Sequence, residues 1–321
     1  MTSFWQDFPG IPEALEKVSG IIQNSSASQN SIVSRGLGVL FDGNGKLLRP
    51  GLLLIAAEFG KVQDKHYNLA ACLEILHMAT LIHDDVIDDS PLRRGAPAVH
   101  TQFGKRDAVL IGDYLLSRCI LLAAKYTSAE NAANIARLMS VMCVMEIEQN
   151  SDRFSTNLSL RRYLRKIMGK SAGLFSLACH VGAYEAKVSR ALTEQLRRIG
   201  YNMGMAFQII DDILDYSGDP GAVRKPLGND IKEGLITLPL ICAIPRDTSG
   251  TLKSLFAGET FFPNDTPAIL TLVRDSGGVD LAKQHAEAYT RRALRGIAEL
   301  PAGKGRNMLD KLTRSLLIRD R

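Results

Sequence analysis

Apolar residues recur along this chain at three- and four-residue intervals over long stretches, and little of it alternates with the two-residue period of a strand. Residues 67–82, YNLAACLEILHMATLI, are apolar on nearly every side and predict a buried helix rich in Leu, Ala and Met. Residues 107–124 have the same character, and 130–149, 158–183 and 188–216 complete a set of long helices. Beyond Pro239 the pattern weakens and predicts shorter helices at 252–256, 268–273, 279–300 and 305–317. The breakers fall between these segments. Ser90-Pro91 and Gly95-Ala96-Pro97 close one helix, Thr127 reads as a cap ahead of Glu130, and a Gly-Asp-Pro-Gly run at 218–221 opens a polar stretch. No linker forces a boundary. The pattern therefore predicts an all-α protein, one helical bundle domain over 1–321 with one or two central helices.

Composition narrows the function classes. With 45% hydrophobic residues, 321 positions can form a sizeable core. The formal net charge of +5 suits small anionic substrates, but no Lys/Arg block resembles a nucleic-acid-binding tail, so no nucleic-acid partner is expected. The five cysteines, Cys72, Cys119, Cys143, Cys179 and Cys242, form no CxxC pair. That argues against a disulfide framework or structural zinc, and for a reducing, cytoplasmic setting. The first ten residues lack the basic-then-apolar order of a signal peptide. The apolar runs at 52–57 and 238–244 are far short of the roughly 20 residues a bilayer span needs, so no transmembrane segment is expected.

The candidate chemistry lies in two acidic runs. Asp84-Asp85-Val86-Ile87-Asp88-Asp89 closes the first buried helix, and Asp211-Asp212-Ile213-Leu214-Asp215 repeats the Asp-Asp-x-x-Asp spacing after another apolar run. On a helix Asp84 and Asp88 share one face, where like charges repel unless a cation lies between them. A lone copy of this motif is commonly just a solvated helix end; two copies inside apolar helices are harder to dismiss. Oxygen-only donors suit a hard ion such as Mg2+, with water and a substrate phosphate completing the shell. No HExxH occurs and no histidine accompanies the second run, which argues against zinc. Cations stand nearby in sequence: Arg93 and Arg94 after the first run, Lys46 and Arg49 at an expected helix start, Lys170 within GKSAG, and Lys225 before Asp230. Each alone reads as an ordinary surface residue, although arginine gives forked phosphate contacts. His77, about two turns ahead of the aspartates, reads equally as a core histidine.

At this point the chain resembles the trans-isoprenyl diphosphate synthases. The resemblance runs from about Gly45 through Pro239 and rests on the stretches 81–95 and 204–215, with Phe103-Gly104 and Gly112-Asp113-Tyr114-Leu115-Leu116 between them. It implies the isoprenoid synthase fold with a central active-site cavity. It also implies that Asp84, Asp85, Asp88, Asp211, Asp212 and Asp215 bind up to three Mg2+ ions together with an allylic diphosphate. Lys46, Arg49, His77 and Arg94 match contacts to isopentenyl diphosphate. Arg93, Lys170, Ser171 (where threonine is usual), Gln208 and Lys225 match contacts to the allylic substrate. Two positions depart from the pattern: Met145 stands where glycine is common in a GExxQ motif, and Leu235 where many members have lysine.

The implied reaction is chain elongation of the allylic diphosphate by isopentenyl diphosphate with loss of pyrophosphate. Ala79 and Thr80, five and four residues ahead of Asp84, stand where farnesyl synthases of the family carry bulky aromatics. With Leu76 as a lower stop, they point to a product of about C30–C40. The resemblance also implies a homodimer, or the catalytic member of a pair with a small companion subunit. A geranylgeranyl diphosphate synthase, a terpene cyclase and a non-catalytic regulatory subunit are the rival readings. The cations expected for a second diphosphate weigh against the cyclase, and the retention of both acidic runs weighs against the regulatory subunit.

Overall fold

The computed structural model describes residues 3–41, 45–93, 95–155, 159–217, 227–257 and 265–317. Among these the protein is helical almost throughout, and the chain divides into two compact units, each discontinuous in sequence. No helix of the described residues is long and apolar enough to cross a membrane.

The first unit comprises Met1–Ala136, Leu177–Arg197 and Leu300–Leu309. It opens with α1 (Ile11–Ser26), α2 (Ser31–Phe41) and α3 (Leu48–Ala57). Its centre is α4 (Asp64–Ile87), which packs against α1, α3 and α6 (Lys105–Tyr126). This explains why residues 67–82 carry no polar face: Leu69, Ala71, Leu73, Ile75, Leu76 and Ala79 are all buried. The helix begins three residues ahead of the expected start, because Gln63 and His66 form a reciprocal cap, the Gln63 amide donating to His66 Nδ1 at 2.9 Å. It ends where expected. Asp89 takes a left-handed φ of 51°, and a two-residue antiparallel pair follows, β1 (Leu92–Arg93) with β2 (Ala96–Pro97). A helical periodicity cannot announce strands this short. The five-residue α5 (Val99–Phe103) leads into α6.

The expected cap at Thr127 is displaced by one residue. Ser128 caps α7 (Ala129–Ser151), its hydroxyl accepting the Asn131 amide at 3.3 Å. The Thr127 hydroxyl instead donates to Glu185 Oε1 at 2.6 Å, at the end of α9 (Gly173–Glu185). Glu185 is buried and also receives Lys65 Nζ at 2.6 Å, Asn131 Nδ2 at 2.9 Å and the Ser128 amide at 3.3 Å. One carboxylate thus ties together the starts of α4 and α7 and the end of α9.

The second unit comprises Arg137–Ser176, Arg198–Glu299 and Asp310–Arg321. The expected single helix over 158–183 is α8 (Leu160–Ile167), a π-helical turn (Met168–Ala172) and α9 in succession; Leu158 lies outside the described residues. α10 (Arg190–Ser217) carries the second acidic run and approaches the π-helical turn so closely that a Cβ on Gly204 would meet the Ala172 backbone. The core of this unit joins Tyr163, Met205, Ile209, Ile213 and Tyr216 to Ile231, Leu238, Leu240, Ile269 and Val273. These last residues belong to α11 (Asn229–Lys232), α12 (Leu238–Ala243) and α14 (Thr266–Asp275) or their flanks. The short α13 (Thr251–Ala257), the long α15 (Gly278–Ala298) and α16 (Lys304–Leu317) complete the chain.

Candidate active site

In the first unit the acidic run occupies the last turn of α4. Asp84 and Asp88 are half-buried and stacked one turn apart, the Asp88 amide donating to the Asp84 carbonyl at 2.8 Å. Asp85 is buried and paired with Arg93, Nη1 to Oδ1 at 3.3 Å. Sequence reading gave Arg93 to a substrate diphosphate; here it first neutralises the one carboxylate of the run that faces the protein. Asp89 is exposed and held by Lys105 at 2.9 Å, which keeps its carboxyl below the usual range. Lys46 is exposed, its ammonium 5.1 Å from the Phe4 ring, while Arg49 is half-buried in the first turn of α3. His77 and Thr80 are half-buried on α4, with the Thr80 hydroxyl turned back onto the His77 carbonyl at 2.8 Å. Leu76 and Ala79 are fully enclosed, so the space around the small Ala79 side chain is filled by packed neighbours. Arg94 and Lys225 lie outside the described residues.

In the second unit one hydrogen-bonded chain joins several of the expected residues. The Ser171 hydroxyl donates to Gln208 Oε1, and Gln208 Nε2 donates to Asp212 Oδ1 at 2.8 Å. The other oxygen of Asp212 accepts the hydroxyl of Tyr163 at 2.6 Å. Lys170 Nζ meets Glu146 Oε2 at 3.3 Å, and Gln149 Nε2 donates to Glu146 Oε1 at 2.9 Å. The π-helical turn sets this arrangement, since Lys170 and Ser171 lie within it; such turns are common at functional sites. Met145, the first departure from the family pattern, is accommodated by a glycine: a Cβ on Gly169 would strike the Met145 side chain.

The three aspartates of this run differ in environment. Asp211 is exposed. Asp212 is 6% exposed, and burial pushes its carboxyl up to about 6 even though Tyr163 and Gln208 donate to it. Asp215 receives the Asn229 and Asp230 amides, each at 3.0 Å, and so caps α11 from a neighbouring helix. Asp230 is driven well above the carboxylate range by burial and by Asp212, Asp215 and Asp211. Carboxylates this crowded call for added positive charge. Among the described residues no three His, Cys, Asp or Glu side chains form a ready-made metal cage. Oxygen-only donors that leave most of the shell open fit Mg2+, which is usually held by one or two carboxylates with water and phosphate.

Sequence reading missed Tyr163, Glu146 and the capping role of Asp215. Each depends on a partner far along the chain, and only the GExxQ-like run around Glu146 offered a signal.

An all-helical chain in which acidic runs close two buried helices, one of them wired to a lysine-bearing π-helical turn, has the make-up of an isoprenoid synthase. The chain belongs to the polyprenyl synthetase family, whose model matches residues 30–269. It is 33% identical to heptaprenyl diphosphate synthase component 2 of Geobacillus stearothermophilus, over 88% of each chain. Among solved structures, geranylgeranyl pyrophosphate synthase from Lactobacillus brevis matches with a TM-score of 0.92 and 34% identity, over 99% of both chains. Polyprenyl synthase from Caulobacter crescentus, in complex with calcium and isoprenyl diphosphate, matches with a TM-score of 0.90 and 34% identity, over 97% of this chain and 96% of that one.

Proposed function

We propose that this protein is a Mg2+-dependent prenyltransferase that extends an allylic diphosphate with isopentenyl diphosphate and makes a long all-trans chain of about C30–C40. The observation that carries this reading is the linked set Ser171, Gln208, Asp212 and Tyr163 beside Lys170, on a chain of this family. Asp84, Asp85 and Asp88 would hold Mg2+, as would Asp211 with Asp212 and Asp215. Bound Mg2+ would neutralise the charge that develops on the departing pyrophosphate. Lys170, Lys225 and Arg93 would add positive charge there, with Ser171 and Gln208 orienting the group. The allylic C–O bond breaks with its electron pair going to pyrophosphate. The double bond of isopentenyl diphosphate, held by Lys46, Arg49, His77 and Arg94, then forms the new C–C bond. A proton is lost from the isopentenyl unit to the released pyrophosphate, so no protein nucleophile is needed.

The test is direct: purified protein, Mg2+, isopentenyl diphosphate and separate C5, C10, C15 and C20 primers, with product masses measured. A ladder ending at C30–C40 is the expected result, and a C15 end product would sink the chain-length reading. Geranylgeranyl synthesis, suggested by the Lactobacillus brevis relative, would end at C20. Thr80 is half-buried, whereas Ala79 is enclosed. Thr80→Tyr should therefore shorten the product by at least one C5 unit, while Ala79→Tyr overpacks α4 at about 1–3 kcal/mol as well.

The exposed apolar side chains of α6, Leu110 at 56%, Ile120 at 56% and Leu121 at 55%, suit burial against a second copy. Light scattering should give twice the 35.1 kDa chain mass, and a monomer would refute the homodimer. The Geobacillus stearothermophilus relative is named as one component of an enzyme, which keeps a companion subunit in view. Activity that appears only when a companion protein is added would establish that form. A cytoplasmic setting fits the five free thiols.

A further inference from the structure

Lys46 and Arg49 flank Leu47, which takes a left-handed backbone, φ 48° and ψ 44°, as the N-cap of α3. A side chain with a Cβ disfavours that region, so the conformation has to be held from outside the turn. The holding group comes from the start of the chain. Trp5 Nε1 donates to the Lys46 carbonyl at 2.5 Å. That carbonyl belongs to the peptide joining Lys46 to Leu47, the peptide whose orientation sets the φ of Leu47. The indole also covers the first turn of α3: a Cβ on Gly51, two residues past Arg49, would overlap its ring. Trp5 is 2% exposed, with the Phe4 and Phe8 rings centred 5.0 and 4.9 Å away. Phe4 in turn lies 5.1 Å from the Lys46 ammonium.

The indole therefore bears on the turn at Lys46 and again at Gly51, with Arg49 between the two points. All these residues belong to the first unit. Trp5 precedes residues 30–269, which match the family model, so this support lies outside the family motifs. We propose that Trp5 is a positioning residue for the second substrate. By fixing the Lys46 peptide and the start of α3, it presents Lys46 and Arg49 together to the diphosphate of isopentenyl diphosphate. This rests on the prenyltransferase reading above, which gives those two cations to that substrate. A turn free to relax would have to be ordered at each binding event, and the cost would fall on affinity.

The test uses the full chain with Mg2+, isopentenyl diphosphate and the best of the C5 to C20 primers, in steady-state kinetics. Trp5→Phe keeps a ring in the cluster and removes the N–H. It should raise KM for isopentenyl diphosphate about fivefold, as for the loss of one hydrogen bond. KM for the allylic diphosphate and kcat should stay within about twofold. The chain has one tryptophan, so benzothienylalanine can replace it at position 5 alone, exchanging the N–H for sulfur within the same ring outline. This second variant should give the same split, and it decides the matter where Trp5→Phe does not fold. Val18→Ala truncates a buried side chain of α1 and is the structural control. It should lower the melting temperature and leave both KM values in place. KM for isopentenyl diphosphate unchanged in the position 5 variants, raised equally for the two substrates, or raised alone in Val18→Ala as well, would overturn the inference alone. Absence of condensation by the unaltered protein with every primer would overturn the prenyltransferase reading with it.

Discussion

Asp84→Asn and Asp211→Asn should each lower kcat/KM for prenyl condensation about a thousandfold, a loss of about 4 kcal/mol of transition-state stabilisation. Both carboxylates lie towards solvent relative to their neighbours: Asp84 is half-buried beside buried Asp85, and Asp211 is exposed beside buried Asp212. Neutralising them should leave the melting temperature within a few degrees of the parent. Asp212→Asn differs, because it alters a buried group that accepts from both Tyr163 and Gln208. It should cost stability as well as rate. Steady-state kinetics beside thermal melts separates the two cases. Retention of more than a tenth of the activity in Asp84→Asn would contradict the assignment of the first run to metal binding.

Glu185→Ala should be the most destabilising single change in the first unit, costing about 3–5 kcal/mol. It leaves the Lys65 ammonium, the Thr127 hydroxyl, the Asn131 amide and the Ser128 N–H without their common acceptor. Burial alone would raise this carboxyl. The hydrogen bonds from Lys65, Thr127, Asn131 and Ser128 outweigh that and hold it at about 2, against 4.5 for an ordinary glutamate. The folded-state value is the lower one. Its contribution of about 3 kcal/mol is therefore complete above pH 4.5 and is lost as the pH falls towards 2. Denaturant melts of the parent and Glu185→Gln between pH 7 and pH 3 should converge on acidification. Parallel curves would show that Glu185 is not the group responsible.

Much of the fold was legible because long buried helices write themselves in apolar periodicity: 67–82 became α4 and 107–124 became α6. What stayed hidden has specific causes. The π-helical turn at Met168–Ala172 brings no proline or turn cluster with it, so 158–183 read as one uninterrupted helix. The choice between Thr127 and Ser128 as a cap turned on Glu185, more than fifty residues away. In the site, the motifs gave the aspartates, Lys170, Ser171 and Gln208 by position. Their pairing could not be read: nothing local says that Arg93 turns to Asp85, that Lys170 meets Glu146, or that Asp215 closes over Asn229 and Asp230.

The extra residue in the π-helical turn also constrains how the gene can change length. A π-helical turn closes i→i+5 and so holds one residue more than the α-helix around it; removing one position between 168 and 172 would let it close as α-helix, with the residues beyond it in their old phase. What changes is the turn itself: Lys170 and Ser171 would leave the positions from which they meet Glu146 and Gln208, while Tyr163, upstream, kept its hold on Asp212. Side-chain replacements can be absorbed in this stretch, as Met145 opposite Gly169 illustrates. A codon deleted there cannot, because Ser171, inside the turn, reaches Asp212 only through Gln208, while Tyr163 reaches it directly from α8.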